Sequence, residues 1–177
     1  MKIYIFSAFF LSLILPLQAQ QLLSVELGVN GLTCSQCTRS VEMSLRKLDF
    51  IENISMNLAE TSGKIILKPD MPVDFEKIAQ AIVNAGFSVR YLKLNVAFET
   101  YKIAENACLK VGEMYLVLLE KKEGFLNGEM SLQLIGEKFM PRKAFKTYQN
   151  QLSNPCQVKK VYWVTSEKSV FNVGLEK

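Results

Sequence analysis

Histidine is absent from this chain of 177 residues. Its absence excludes imidazole as a general base, as the partner of a Ser or Cys nucleophile, and as a metal ligand. A metal site in this protein must therefore use Cys, Met, carboxylate or carbonyl ligands. No pair of carboxylates stands in a motif typical of acid and base roles. We therefore expect that the protein is not an enzyme.

The sequence also lacks two other features, a concentrated basic run and a long apolar run beyond its start. The net charge is only +4, and 49% of the residues are apolar, as in ordinary globular proteins. Nucleic-acid binding normally requires clustered basic residues, and a membrane span requires about 20 consecutive apolar residues. We expect no nucleic-acid partner and no membrane span in the mature chain.

Residues 1–19 have the pattern of a secretory signal peptide. Lys2 gives the start a positive charge, an apolar run extends from Ile3 to Leu17, and Ala19 is a small residue at a suitable cleavage point. The apolar run is too short for a membrane-spanning helix. We therefore expect an exported protein, periplasmic or secreted after cleavage, in a compartment that favours disulfides.

Strand and helix patterns alternate over residues 22–94. Apolar residues recur at every second position in the strand patterns and at helical spacing in the helix patterns. Asp74 is the expected N-cap of the second helix, and Gly86 its expected stop. The predicted elements are strand 23–29, helix 35–48, strands 54–58 and 65–67, helix 75–83 and strand 88–94. This β-α-β-β-α-β order predicts an α+β, ferredoxin-like domain with two helices on one face of a four-stranded sheet.

Residues 96–177 show mostly strand patterns and predict a second, small, mostly-β domain. One helical stretch, Pro141 to Leu152, interrupts them. The predicted strands are 96–103, 113–120, 130–135, 158–165 and 169–175. Three strands, a helix and two strands is the order of an OB-like five-stranded barrel, and a small open sheet with a covering helix fits the same order.

Cys34 and Cys37 are the candidate metal ligands. The Cys-x-x-Cys spacing brings both sulfurs to the start of the first predicted helix, where the helix dipole and the nearby Arg39 favour thiolates. Two thiolates satisfy Cu(I), which accepts linear coordination, whereas Zn(II) prefers four ligands. The same spacing in an exported protein also suits a redox pair or a short disulfide.

The context of these cysteines resembles the heavy-metal-associated domain. The resemblance covers about residues 22–94 and is carried by Gly31-Leu32-Thr33-Cys34-Ser35-Gln36-Cys37, by Val41 and Leu45, and by Ala81-Ile82-Val83-Asn84-Ala85-Gly86-Phe87. The family includes copper chaperones, metal-binding domains of copper-transporting P-type ATPases and exported mercuric-ion-binding proteins. The resemblance implies that Cys34 and Cys37 bind Cu(I) or another soft metal ion. Leu32 stands where the family usually has Met, a change that preserves apolar packing.

The resemblance also implies a function, namely transfer of the metal to a partner by ligand exchange. The expected partner is a copper-transporting or copper-receiving protein with a similar thiolate pair. Two alternatives stay open at this point. In one, Cys34 and Cys37 cycle as a thiol-disulfide protein; in the other, the metal domain is vestigial and the C-terminal half is an interaction module.

Cys108 and Cys156 are the remaining cysteines, and both lie in the C-terminal half. Each precedes a predicted strand, and we expect a structural disulfide between them. In the competing interpretation, one or both stay free and act as extra soft ligands for the first site.

Overall fold

The computed structural model describes residues 20–103, 107–120 and 124–166. The predicted signal peptide and the predicted strand 169–175 lie outside the described residues. The elements in chain order are β1 (Gln21–Asn30), α1 (Ser35–Leu45), β2 (Ile51–Asn57), β3 (Ser62–Leu67), α2 (Phe75–Asn84), β4 (Ser88–Lys102), β5 (Cys108–Val111), β6 (Met114–Leu118), β7 (Phe125–Ile135), α3 (Arg142–Phe145), a single 3₁₀ turn (Gln149–Gln151) and β8 (Tyr162–Ser166). None of the described helices is long and apolar enough to span a membrane.

The N-terminal half has the predicted ferredoxin-like arrangement. Its strands lie in the order β2-β3-β1-β4, and each pair of neighbours is antiparallel. Two buried residues of α1, Val41 and Leu45, and the buried side of α2 join the same hydrophobic core as Val25 and Leu27 of β1. Each fully buried aliphatic side chain of this kind contributes about 1.5–3 kcal/mol to folding. The burial of these side chains therefore holds both helices against the sheet.

Helix α1 is three residues shorter than the periodicity predicts. It ends at Leu45, and the chain leaves it through a tight turn in which the Leu48 N–H donates to the Leu45 carbonyl over 3.0 Å. Leu48 still packs against the core. Its helical spacing in the sequence reflects this contact, because a residue in the turn after a helix can extend the apolar face without extending the helix.

Both predicted ends of α2 are confirmed. The Asp74 carboxylate accepts hydrogen bonds from the backbone N–H groups of Glu76 and Lys77, at 3.0 and 3.4 Å. At the other end, Gly86 has a φ of +91°, which glycine adopts without steric cost. The Phe87 N–H then donates to the Ile82 carbonyl over 3.2 Å, which completes a Schellman motif.

Strand β4 differs most from the sequence interpretation. The two strands expected at 88–94 and 96–103 are one strand of 15 residues. Asn95, the polar residue between them, does not break the strand, because its side chain donates to Ser24 Oγ over 3.1 Å and to Glu26 Oε1 over 2.9 Å. The boundary placed at residue 95 therefore falls inside a strand that both halves share. β4 pairs with β1 along one edge and with β7 along the other.

The described strands form one open eight-stranded sheet, in the order β2-β3-β1-β4-β7-β8-β6-β5. The closed OB-like barrel is therefore not formed, because no strand ladder joins β5 back to β4 within the described ranges. A side chain links these two strands without a ladder, since the Lys110 N–H of β5 donates to the Tyr101 hydroxyl of β4 over 3.3 Å. The open-sheet alternative fits these strands.

Four other elements of the C-terminal half differ from their predictions. β7 begins at Phe125, five residues before the strand predicted at 130–135. The strand predicted at 113–120 has an additional hairpin partner, β5, joined through Gly112, which has a φ of +55°. The helix predicted at 141–152 is reduced to the single turn of α3 and the separate 3₁₀ turn. The last described strand begins at Tyr162, four residues later than expected, and pairs in parallel with β6. Periodicity alone carries no information about such a parallel, long-range pairing.

The C-terminal half also contacts the start of α2. The ring of Tyr162 packs edge to face on Phe75, with centroids 4.9 Å apart. Around this contact, Lys138 pairs with Glu76 at 2.8 Å, and Lys160 lies 3.8 Å from Asp74. Burial raises the pKa of the Tyr162 hydroxyl, so this ring stays neutral at physiological pH. The packing ties the second half of the chain to the same helix whose far end lies beside the cysteine loop.

Replacing Asp74 with Ala removes the cap of α2. We expect Asp74→Ala to lower the free energy of unfolding by about 1 kcal/mol, because two helix N–H groups lose their acceptor. The measurement is urea denaturation followed by circular dichroism. Asp49→Ala is the matched control, because Asp49 is exposed and forms no hydrogen bond or ion pair in the described part of the chain. Equal stability of the two variants would show that the cap is not needed.

Candidate metal centre

The cysteines lie on the loop that joins β1 to α1. Strand β1 ends at Asn30, whose side chain donates to Ser88 Oγ at the start of β4 over 3.4 Å. Gly31 then takes a φ of +91° and turns the chain toward the helix. A residue with a side chain would be strained in this conformation. The loop is therefore fixed at its origin by one side-chain contact and one glycine.

Cys34 is itself the N-cap of α1. Its backbone is extended, with φ −148° and ψ 160°, and its sulfur accepts a hydrogen bond from the Cys37 N–H over 3.2 Å. The Cys34 carbonyl accepts the first bond of the helix, from the Thr38 N–H over 3.1 Å. After reduction, a thiolate in this position would receive an N–H group and the positive end of the helix dipole, both of which stabilise negative charge.

The two sulfurs lie together at an accessible position. Cys34 is exposed and Cys37 is half-buried, and their Cα atoms are 5.2 Å apart. The structure joins them as a disulfide. The same backbone presents two adjacent thiols once that bond is reduced. The site can therefore exist either as a disulfide or as a pair of soft sulfur ligands.

Two apolar side chains, Leu32 and Phe87, support the loop that carries the cysteines. Leu32 is 3% exposed and belongs to the hydrophobic core, so the residue expected to pack below the site does so. Phe87 is half-buried and lies close to Gly31, since a Cβ on that glycine would be 3.5 Å from the Phe87 ring. The Schellman motif of α2 sets the position of Phe87. The loop thus rests on side chains held by two different elements.

No group of three or more Cys, Asp or Glu side chains suited to a metal ion occurs within the described ranges. The site consequently offers two sulfur atoms and no neighbouring carboxylate cluster. Arg39, the positive charge expected near the thiolates, is exposed on α1. This donor set suits a soft ion of low coordination number better than an ion that needs four ligands.

Comparison with known families identifies the segment that carries these cysteines. The model of the heavy-metal-associated domain matches residues 26–88. This segment is a heavy-metal-associated domain. The match covers both cysteines, both helices and the start of β4, and it does not extend into the C-terminal half.

The similar curated proteins include two ATPases, one described as cation-transporting and the other as a copper-exporting P-type ATPase. The cation-transporting ATPase HMA5 of Oryza sativa subsp. japonica is 32% identical over 76 residues, which are 43% of this chain and 8% of that protein. A copper-exporting P-type ATPase of Staphylococcus aureus (strain Newman) is 30% identical over 82 residues, which are 46% of this chain and 10% of that protein. The chain thus spans a tenth or less of the length of these relatives.

Solved structures of small domains are also similar to the N-terminal half. The yeast copper transporter domain CCC2A, determined in apo and Cu(I)-loaded states, is 27% identical and covers 38% of this chain and 90% of its own, with a TM-score of 0.34. Oxidized MerP from Ralstonia metallidurans CH34 is 26% identical and covers 40% of this chain and 97% of its own, with a TM-score of 0.35.

The other two cysteines lie outside the heavy-metal-associated domain. The structure joins Cys108, at the start of β5, to Cys156, in the loop before β8, with their Cα atoms 5.5 Å apart. In this arrangement neither sulfur is available as an extra ligand for the first site. The bond closes a separation of 48 residues and fixes the loop against the edge strand of the sheet.

Sequence reasoning missed the contacts that hold this loop. The Trp163 indole N–H donates to the Ser153 carbonyl over 2.7 Å, and the Asn154 side chain donates to the Val158 carbonyl over 2.8 Å. The Asn154 oxygen also accepts from the Cys156 N–H over 3.1 Å. The Asn-Pro pair at 154–155 signals a turn in the sequence. It does not signal which strand that turn packs against.

Removing the second disulfide is expected to destabilise the protein. In the chain-entropy model, a closed loop of this length contributes about 4 kcal/mol, so Cys108→Ser with Cys156→Ser should lower the unfolding free energy by up to that amount. The measurement is denaturant unfolding of the non-reduced protein. Cys34→Ser with Cys37→Ser, which opens a loop of only three residues, is the control and should cost much less. Finding Cys108 and Cys156 alkylatable in the folded, air-exposed protein would contradict the pairing.

Proposed function

We propose that this protein is a non-enzymatic carrier of a soft metal ion, most simply Cu(I), which it binds through Cys34 and Cys37. The observation that carries the proposal is the position of Cys34 as the N-cap of α1, with its sulfur 3.2 Å from the Cys37 N–H, in a segment that matches the heavy-metal-associated domain. The pair presents two thiolates on an exposed loop after reduction. The match to the heavy-metal-associated domain supports a heavy metal ion as the cargo. Among such ions, a donor set of two thiolates favours Cu(I).

The exposure of Cys34 supports transfer by ligand exchange. A thiolate of the partner forms a bond to copper while one sulfur of this chain releases it, and a second exchange completes the transfer. Copper stays Cu(I) throughout, so no oxidant or reductant is consumed. The exposed sulfur would be the first one that a partner reaches, and half-buried Cys37 would hold the ion until the second exchange.

The partner and the compartment are part of the proposal. A copper-exporting P-type ATPase is among the relatives of this segment, which supports a copper-handling protein with a similar thiolate pair as the partner. Export rests on the charge and apolar pattern of residues 1–19. Cell fractionation with an antibody against the C-terminal half would locate the protein.

Titration with Cu(I) under reducing conditions tests the ligands. We expect one equivalent to bind in competition with a strong Cu(I) chelator, and Cys34→Ser or Cys37→Ser to abolish tight binding. Affinity should also fall as the pH is lowered, because protons compete with copper for the thiolates. Ser40→Ala, on the outer side of the same helix, is the matched control and should bind normally. A double Cys34→Ser, Cys37→Ser variant that retains one equivalent would refute the assignment.

A thiol-disulfide role for the same cysteines is the second candidate, and the disulfide between Cys34 and Cys37 favours it. The carrier proposal requires that metal and oxidation compete for the two sulfurs, because a disulfide cannot bind copper as thiolates do.

Alkylation trapping in intact cells distinguishes the two roles. If the protein carries copper, the fraction of reduced Cys34 and Cys37 should rise when copper is supplied, while the Cys108–Cys156 pair, as the internal control, should not change. A Cys34–Cys37 pair that stays oxidised at every copper concentration would favour the thiol-disulfide role.

A further inference from the structure

Positive charge is unevenly distributed along the C-terminal half. Between residues 138 and 166 the chain has six of its 21 Lys and Arg residues and none of its 17 Asp and Glu residues. The six are Lys138, Arg142, Lys143, Lys146, Lys159 and Lys160. They are separated by up to twelve uncharged residues, so the sequence does not show them as a basic run. The folded structure determines which of the six form ion pairs with carboxylates.

Three of the six are paired with carboxylates from outside the segment. Lys138 contacts Glu76 at 2.8 Å, Arg142 contacts Glu137 at 3.1 Å, and Lys160 lies 3.8 Å from Asp74. The hydrogen bond to Glu76 raises the pKa of Lys138, which keeps that side chain charged at neutral pH. The carboxylates of Asp74, Glu76 and Glu137 are therefore already engaged by basic side chains of this segment.

Lys143 and Lys146 have no such partner in the described part of the chain. They are exposed and three residues apart on α3 and its C-cap, a spacing that brings two side chains to one side of a helical turn. Together with Glu137, Arg142, Phe145 and Gln149 they line an open groove of about 480 Å³. The one carboxylate in this groove is already paired with Arg142.

We propose that this groove is a docking surface for an acidic segment of a partner protein. Carboxylates of such a segment would pair with Lys143 and Lys146, and the Gln149 amide could donate a further hydrogen bond. Half-buried Phe145 gives the groove an apolar base for the stems of Glu side chains. The proposal does not depend on copper binding, because every residue it uses lies outside the heavy-metal-associated domain.

The groove fits a protein segment better than an anionic membrane. Attraction to an anionic membrane by charge alone takes a cluster of about four to eight Lys or Arg residues. A less basic surface also needs exposed large apolar side chains that insert among the lipids. The large apolar residues that are exposed in the described ranges are Met43, Leu58, Met71, Val83 and Phe125. None of them lies in the groove. Its recognition is therefore electrostatic and polar.

An octaglutamate peptide is the probe for this surface. The full-length protein should bind it at low ionic strength, with backbone amide shifts in NMR spectra concentrated in residues 137–149. Binding should weaken as salt is added, because exposed charges are screened. Lys143→Glu with Lys146→Glu should weaken it by about tenfold or more, since two attractive contacts become repulsive.

Lys64→Glu with Lys68→Glu is the matched control. It changes the net charge equally at two exposed lysines of β3 and the turn after it, far along the chain from the groove, and should keep the affinity within about threefold. Equal loss in both variants would overturn the proposal, because binding would then follow net charge alone. Binding to phosphatidylglycerol vesicles without binding to octaglutamate would also overturn it, in favour of a lipid surface.

Discussion

The rest of the structure depends on the burial of one long strand. β4 lies between β1 and β7, and its inward residues Leu92, Leu94, Val96 and Phe98 are almost completely buried. The buried residues of α1 and α2 belong to the same hydrophobic core as these side chains, and so do buried residues of the C-terminal strands. Halves of about 80 residues are only marginally stable alone, because small domains bury a small share of their surface. A shared strand lets both halves contribute to one core.

Helix α2 transmits this packing to the cysteine loop. Its first turn contacts the C-terminal half through Phe75, and its last turn positions Phe87 beside Gly31. The loop that carries Cys34 and Cys37 therefore contacts a side chain, Phe87, that is held in place by the end of this helix. The proposed metal exchange would benefit from exposed sulfur on a backbone held by packing, and Cys34 is exposed on such a loop.

The sequence predicted the local features well, because each depends on residues close together in the chain. Asp74 and Gly86 specify the ends of α2 by their own chemistry, and the Cys-x-x-Cys loop specifies its position at a helix start. The features it missed depend on distant partners. Asn95 resembles a strand break until Ser24 and Glu26 satisfy its amide. Likewise, the parallel pairing of β8 with β6 leaves no mark in the periodicity of either strand.

Small domains can usually be separated from the rest of a chain at a linker. Here the two halves share strand β4, so no such linker lies between them. Leu94 faces Val25 in one neighbouring strand and Leu132 in the other. A cut at this position would divide a hydrogen-bonded strand rather than a linker. It would separate Lys93 and Leu94 from their partners in β7, and residues 95–97 from their partners in β1. Unpaired N–H and C=O groups of this kind can recruit strands of other molecules. In this chain the heavy-metal-associated domain is part of a larger sheet, so gene fusions or excisions that treat it as an independent cassette would break strand pairing on both sides of the cut.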